Sequence, residues 1–315
     1  VEDRWGNKWI DWASGVLIAN AGHGRKEIAA ALKKEIDQGL LATYVFVHEK
    51  RKDLTKMLQA LSPDPKKYHV FLLSTGSEAT ENCIKLAKTW AFEKHGPQKK
   101  YFVTFRNAFH GRTLGAQLAG GNPKLKKWIV DEGKTFIQVP FPDGYKNEDT
   151  SFELFLRSLK EQGVEPKDIA GVMTESYQGV GPDFLPDQYA KRLEAFCKEH
   201  DIITVFDEVQ AGFGRTGKMF TYQHYGVTPD LIACGKGISS SLPISAVIGR
   251  SDIMGLYAPG SMTSTHSASP LPVAAAIENL KLLKKEKLVE RAAKLGKILV
   301  PEVHRIQKKY PKVLG

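Results

Sequence analysis

The residues able to do chemistry sit at the ends of short apolar runs. Leu231-Ile232-Ala233-Cys234-Gly235-Lys236-Gly237 places one lysine between two glycines, just beyond a strand-like stretch. A charged lysine buried there is costly, so the amine tends to lose its proton, which suits a Schiff-base nucleophile. Taken alone, the same pattern also fits an exposed turn lysine. Ile202-Ile203-Thr204-Val205-Phe206-Asp207-Glu208 puts a carboxylate at the C-terminal end of an apolar run, the edge at which α/β sheets bind ligands. An aspartate in that place can pair with a metal, a sugar hydroxyl or a protonated ring nitrogen. Glu175 ends the run Ala170 to Thr174 in the same manner. Few histidines lie nearby, so a metal site is not expected.

Ser74-Thr75-Gly76-Ser77-Glu78 offers an anion site. It follows a run ending at Leu73 and opens a helical pattern carrying Ala79, Cys83, Ile84, Ala87 and Trp90. Thr75 and Glu78 have capping-box spacing, Gly76 lets a ligand approach the backbone, and free N–H groups at a helix start attract an anion. A plain helix cap accounts for the same residues. A second glycine-rich run, Gly212 to Met219, matches G-x-G-x-x-G and nearly matches a phosphate loop. Both readings fail on context. Asp207 to Ala211 separate it from the preceding strand, Pro229 follows too soon for a useful helix, and Met219 stands where a magnesium-binding hydroxyl belongs. A glycine-rich turn is the expectation there.

These residues need a sheet to position them. Strand-like runs recur at His69 to Leu73, Tyr101 to Phe105, Lys134 to Val139, Ala170 to Thr174, Ile202 to Phe206, Leu231 to Cys234 and Ile244 to Ile248. Helical patterns lie between several of them: Glu78 to Glu93, Phe152 to Gln162 and Tyr189 to His200. The alternation predicts an α/β fold with a largely parallel sheet covered on both faces. Helices are also predicted at Arg25 to Gln38 and from Pro272 onward, in regions that lack the alternation and form a second, smaller layer.

Composition narrows the function classes. The 315 residues are 42% hydrophobic and 25% charged, the profile of an ordinary folded protein and not of a disordered or disulfide-built chain. No apolar run approaches the roughly 20 residues of a membrane span, so no membrane association is expected. The three cysteines are odd in number and far apart, which suggests a reducing compartment and a cytoplasmic location. The net charge is +10, but Lys281 to Gly315 hold eleven Lys or Arg against three Glu. That excess accompanies Leu282, Leu283, Leu288, Ala292, Leu295, Ile298 and Leu299 at spacings of one helical face. A solvated helix face is expected rather than a nucleic-acid surface, since no aromatic residue interleaves the charges before Tyr310. The chain begins at Val1 without Met, and its last residues, Tyr310-Pro311-Lys312-Val313-Leu314, read like entry to another element, so an excerpt of a longer protein is expected.

In combination, these segments resemble the class III pyridoxal-phosphate (PLP) aminotransferases, the family of acetylornithine, ornithine and 4-aminobutyrate aminotransferases. The resemblance runs through Asp11-Trp12-Ala13-Ser14-Gly15, Ser74 to Ala79, Phe109-His110-Gly111-Arg112-Thr113, the long block Asp207 to Gly217, and Pro229-Asp230 to Lys236. It implies a PLP-dependent transferase of fold type I, with a mainly parallel sheet in a large domain and a smaller α+β domain. The implied division is residues 1–50 as the N-terminal part of the small domain, 51–275 as the large PLP-binding domain, and 276–315 as a linking helix with the truncated start of the C-terminal small domain.

The resemblance also implies roles. Lys236 carries the cofactor and moves the proton between substrate carbon and cofactor. Asp207 keeps the pyridine nitrogen protonated. Gly76 and Ser77 bind the phosphate, Phe109 stacks on the ring, and His110, Val209 and Gln210 complete the cofactor-binding set. Glu175, in a Glu175-Ser176-Tyr177-Gln178-Gly179 run resembling Glu-Pro-x-Gln-Gly, lies near the substrate and pairs with an arginine. Thr265 reaches the phosphate of a partner subunit in a homodimer whose active site lies at the interface. The implied reaction is ping-pong transamination from an amine or ω-amino acid donor to a 2-oxo acid. A racemase, epimerase or aminomutase of the same family is the competing reading. Departures from the family are Ser239, Ser240 and Ser241 in place of glycines, and Thr265-His266-Ser267-Ala268-Ser269-Pro270 in place of Thr-Phe-Gly-Gly-Asn-Pro.

Overall fold

The computed structural model describes residues 1–44, 46–130, 133–181, 183–262 and 264–311. The chain opens with a short turn, α1 (Ser14–Leu17), and the helices α2 (Lys26–Asp37) and α3 (Glu49–Gln59). The alternating part follows: β1 (Tyr68–Leu73), α4 (Gly76–His95), β2 (Tyr101–Phe105), α5 (Leu114–Ala119), β3 (Phe136–Val139), α6 (Phe152–Glu161) and β4 (Ile169–Glu175). A small hairpin, β5 (Tyr177–Gln178) and β6 (Asp183–Phe184), precedes α7 (Asp187–Glu199), β7 (Ile203–Asp207) and β8 (Leu231–Cys234). The chain then forms β9 (Ser245–Arg250), α8 (Ser251–Met254), α9 (Pro270–Lys285) and α10 (Leu288–Lys309).

Seven strands form one sheet in the order β1-β9-β8-β7-β4-β2-β3. β8, β7, β4, β2 and β3 run parallel, and β9 is antiparallel to both of its neighbours. All of β4, β7 and β8 is buried, as the continuous apolar runs require of strands covered on both faces. On one face α4 presents Ala79, Cys83, Leu86, Ala87, Trp90 and Ala91, spaced three and four apart, to a cluster containing Ala170, Met173, Val205 and Leu231. The opposite face packs Phe105, Phe152, Phe155, Tyr189 and Phe196, joined by edge-on and stacked ring contacts. This two-sided cover leaves the C-terminal ends of the parallel strands open for a site.

Two features differ from the expectations. The helix predicted from Pro272 begins at Pro270 and divides at Glu286 and Lys287, where Lys287 has φ 52°. The break resets the helical register and splits the apolar stripe. Leu282 and Leu283 are buried against the body, whereas Leu295, Ile298 and Leu299 on α10 are exposed. Helix α3 carries no expectation at all, because only Leu54, Met57, Leu58 and Leu61 mark its inner face among charged residues. A small cluster of Ala21, Ile28, Ala275 and Leu282 joins α2 to α9. Among the described residues no helix is long and apolar enough to cross a membrane.

Candidate active site

The site forms where three strands end and one helix begins. β7 and β4 are in register through Glu175 opposite Asp207, so two carboxylates leave the sheet side by side. β8 is paired to β7 up to Ala233 opposite Asp207, which brings Lys236 in immediately after it. β1 ends at Leu73, and α4 starts three residues later with the expected capping box: Thr75 Oγ1 accepts from Glu78 N, and Glu78 Oε2 accepts from Thr75 N at 2.9 Å. These ends enclose a cavity of about 220 Å³. Gly76 and Ser77 line it from α4, Phe109, His110 and Arg112 from the β2–α5 connection, and Glu175, Asp207, Val209, Gln210 and Lys236 from the strand ends. Every candidate residue thus lines the cavity except Thr265, which lies exposed on the loop before α9.

Local packing keeps the helix start open. A Cβ on Gly76 would fall 2.7 Å from Val209 Cγ1, so only glycine lets the α4 N–H groups face the cavity beside Val209. Gly179 serves Gln210 in the same way, since a Cβ there would fall 2.0 Å from Gln210 Oε1. The run Gly212 to Met219 forms turns, as expected, and is followed only by a four-residue 3-10 helix, Thr221–His224, too short for a dinucleotide fingerprint.

The ionisable groups form a coupled set. Asp207 Oδ1 accepts from Val209 N at 3.0 Å, and His110 Nδ1 lies 2.8 Å from Asp207 Oδ2. His110 is 1% exposed and its Nε2 is buried without a partner. Burial alone pulls its pKa down, but the hydrogen bond and charge of Asp207 outweigh that and raise it. His110 therefore acts on Asp207 from behind. Its place next to Phe109 in the sequence gives no sign that the two rings face different ways. Glu175 accepts from Phe109 N at 3.0 Å and Gly179 N at 2.9 Å, and burial pushes it up to about 7. Among the described residues no arginine pairs with it; its carboxylate staples the backbone of Phe109 in place. Lys236, half-buried with Nζ 3.5 Å from Gln210 Oε1, has its pKa lowered by burial, an effect that Asp207 and Glu175 partly offset.

Arg112 is a cavity residue to which the sequence alone assigns no role. Its guanidinium stands 5.4 Å over the Phe109 ring at the cavity edge, its backbone N donates to Ser77 Oγ, and it makes no ion pair among the described residues. The signal was present in the Phe-His-Gly-Arg turn, but only the fold brings that turn to the α4 N-terminus. The aromatic residues Trp12, Tyr44, Phe46 and Tyr177 do not line the cavity: the first three are exposed, and Tyr177 is buried beside it in β5.

The buried acids predict a pH effect on stability. Glu175 and Glu208 are both raised by burial from 4.5 to about 7, so the folded chain keeps protons that the unfolded chain releases between those values. Stability of the cofactor-free protein is therefore expected to fall as pH rises through that window. Urea midpoints at pH 5 and pH 7.5 check this; a higher midpoint at pH 7.5 would contradict it.

Comparison with known proteins gives the same picture. The family model "Aminotransferase class-III" matches residues 1–315. The acetylornithine aminotransferase of Caldanaerobacter subterraneus subsp. tengcongensis is 32% identical, over 98% of this chain and 75% of its own length. A probable 4-aminobutyrate aminotransferase of Bacillus subtilis is 30% identical, over 98% and 72% respectively. Among solved structures, an amine transaminase from an uncultivated Pseudomonas species in its PLP-bound form superposes with a TM-score of 0.88 at 27% identity, covering 98% of this chain and 74% of that one. These matches favour transamination over the racemase reading. The chain belongs to the class-III aminotransferase family and is an aminotransferase.

Proposed function

We propose that this aminotransferase uses PLP to move an amino group from an ω-amino acid to a 2-oxo acid in two half-reactions. The observation that carries the reading is the convergence of Lys236, Asp207 and the α4 N-terminus, from three separate sheet ends, on one cavity. The cavity suits this cofactor: it has a glycine-opened helix start for a phosphate, an aromatic face, and a buried carboxylate backed by an imidazole.

PLP when bound supplies an electron-withdrawing ring and a carbonyl carbon. The chain's own residues do the rest. Gly76 and Ser77 would hold the phosphate with backbone N–H groups and a hydroxyl, and Phe109 and Val209, which line the cavity, would flank the ring. Asp207 Oδ would accept a hydrogen bond from the ring nitrogen and so keep that nitrogen protonated, with the carboxylate's orientation fixed by Val209 N and His110 Nδ1. Lys236 Nζ would take the proton from the substrate carbon and deliver it to the cofactor's former carbonyl carbon, a role that a lowered pKa favours. Glu175 holds Phe109 against the ring through its backbone.

The donor class follows from Arg112 and from the relatives' names, which include 4-aminobutyrate and acetylornithine. An unpaired guanidinium at the cavity edge suits the carboxylate of a chain whose amine end reaches Lys236. Arg112→Ala is expected to raise KM for 4-aminobutyrate roughly 10- to 100-fold with little change in kcat, as loss of a charge-assisted bond distant from the reacting carbon implies. Steady-state kinetics check this, and an unchanged KM would sink the assignment. A homodimer is part of the same reading: Thr265 is exposed outside its own cavity, and Trp5, Trp9, Ile10 and Trp12 leave an apolar surface uncovered. So is a cytoplasmic location, which three free, buried cysteines suit.

Purified protein mixed with PLP is expected to acquire a visible absorption band that survives gel filtration. It should consume 4-aminobutyrate or acetylornithine only when a 2-oxo acid is present. Inversion of a chiral α-amino acid with solvent deuterium retained at its α-carbon and no oxo-acid requirement would overturn the reading in favour of a racemase.

A further inference from the structure

One buried polar cluster lies behind the cavity and lines no part of it. The last backbone pair between β4 and β7 is Glu175 opposite Asp207. One residue further on, the ladder has ended, and the Ser176 hydroxyl donates to the Glu208 carboxylate instead. Glu208 also accepts from Thr221 N at 2.9 Å and Tyr222 N at 2.8 Å, while the Ser176 carbonyl accepts from the Tyr225 hydroxyl. Ser176 and Glu208 are both completely buried. The motif that this run resembles carries proline at this position, and proline has no side-chain donor to give Glu208.

We propose that Ser176 is a positioning residue: its bond to Glu208 is a side-chain rung beyond the end of the sheet, which fixes the spacing of Glu175 and Asp207. The geometry leads there directly. Glu175 holds Phe109 N and Gly179 N, and Asp207 holds Val209 N and faces His110. A rung joining the two following residues thus sets the distance between the group that holds the ring-facing aromatic and the group that faces the ring nitrogen. The inference rests on the PLP reading of Asp207 and Phe109 given above.

The rung also ties the site to pH. Burial pushes Glu208 up to about 7, against the pull of the Ser176 hydroxyl and the two backbone N–H groups. The titratable groups facing it are Asp207 on β7, Tyr177 on β5, Tyr222 and Tyr225 beyond the glycine-rich turn, and Cys234 on β8. Removing the hydroxyl takes away a donor to the charged form, so Glu208 must titrate at higher pH.

The test uses PLP-loaded enzyme with 4-aminobutyrate and a 2-oxo acid, following kcat, KM and the visible band across pH. Ser176→Ala is expected to lower kcat roughly 5- to 20-fold, as loss of one bond to a buried charged group allows. KM should stay within about twofold, since Ser176 does not touch the cavity. The acidic limb of kcat and the midpoint of the band should move to higher pH. Ser176→Thr keeps the hydroxyl and should leave both at the wild-type position. A loaded Ser176→Ala enzyme with wild-type kcat and limb overturns the proposal. So does a Ser176→Thr enzyme whose limb departs from the wild-type position, a comparison that decides the matter even if the alanine variant fails to fold. Wild-type protein that takes up no PLP overturns the underlying reading and the proposal together, and is distinguishable because it fails before any substitution.

Discussion

Lys236→Ala is expected to lower kcat by at least about 10⁴-fold, the scale for losing both a nucleophile and a proton-transfer group. No other cavity-lining residue carries an amine: Arg112 offers a guanidinium, Glu175 a carboxylate that cannot carry the cofactor, and His110 is hydrogen-bonded to Asp207. Lys236 Nζ is held near Gln210 Oε1 by a backbone with φ 39° at residue 236, so its reach into the cavity comes from the Gly235-Lys236-Gly237 turn. Two measurements separate this loss from misfolding. Borohydride treatment of PLP-loaded wild-type protein should fix the cofactor's mass on the peptide containing Lys236, and the alanine variant should show none. An exogenous small amine should return part of the activity, since the cavity that remains still binds and orients substrate. Turnover above about one hundredth of wild type without added amine would remove Lys236 from the mechanism.

Asp207→Asn should cost roughly 10² to 10³ in kcat, comparable to removing one preorganised charge partner from a buried site. The substitution is nearly isosteric. It can keep a bond from Val209 N, so the β7 end should stay in place while the charge facing the ring nitrogen is lost. His110 loses its charged partner as well. Because that partnership is what raises His110 against the pull of burial, the imidazole pKa in the variant should fall. NMR titration of His110 reads this directly in the cofactor-free protein. A His110 titration equal to that of wild type would show that the two do not interact, and kcat within tenfold of wild type would leave Asp207 without the role proposed for it.

Much of this site was legible in the residues. Apolar runs without alternation declared strands covered on both faces, and the carboxylates Glu175 and Asp207 ended two of them at the ligand-binding edge. Thr75 and Glu78 announced a capped helix start, and the capping box is present. Local signals of this kind survive because they depend on a few consecutive residues whose side chains satisfy their own backbone. The helical region predicted from Pro272 onward is present, but its break at Lys287 was not legible, because a stripe of leucines reports an apolar face and not a change of register.

By itself, then, the amino-acid order determined the α/β alternation, the capped helix start and the chemical types available: one glycine-flanked amine, two strand-end carboxylates and an aromatic turn. Only the tertiary structure decided which way those groups face. It turned His110 onto Asp207, set Glu175 to hold the backbone of Phe109, brought Arg112 to the cavity edge, left Thr265 outside, and joined Ser176 to Glu208. The physical reason is separation along the chain. His110 and Asp207 are 97 residues apart and Ser176 and Glu208 are 32 apart. Strand order and register, fixed by the burial of both sheet faces, bring such pairs within hydrogen-bond reach, and no local pattern encodes them.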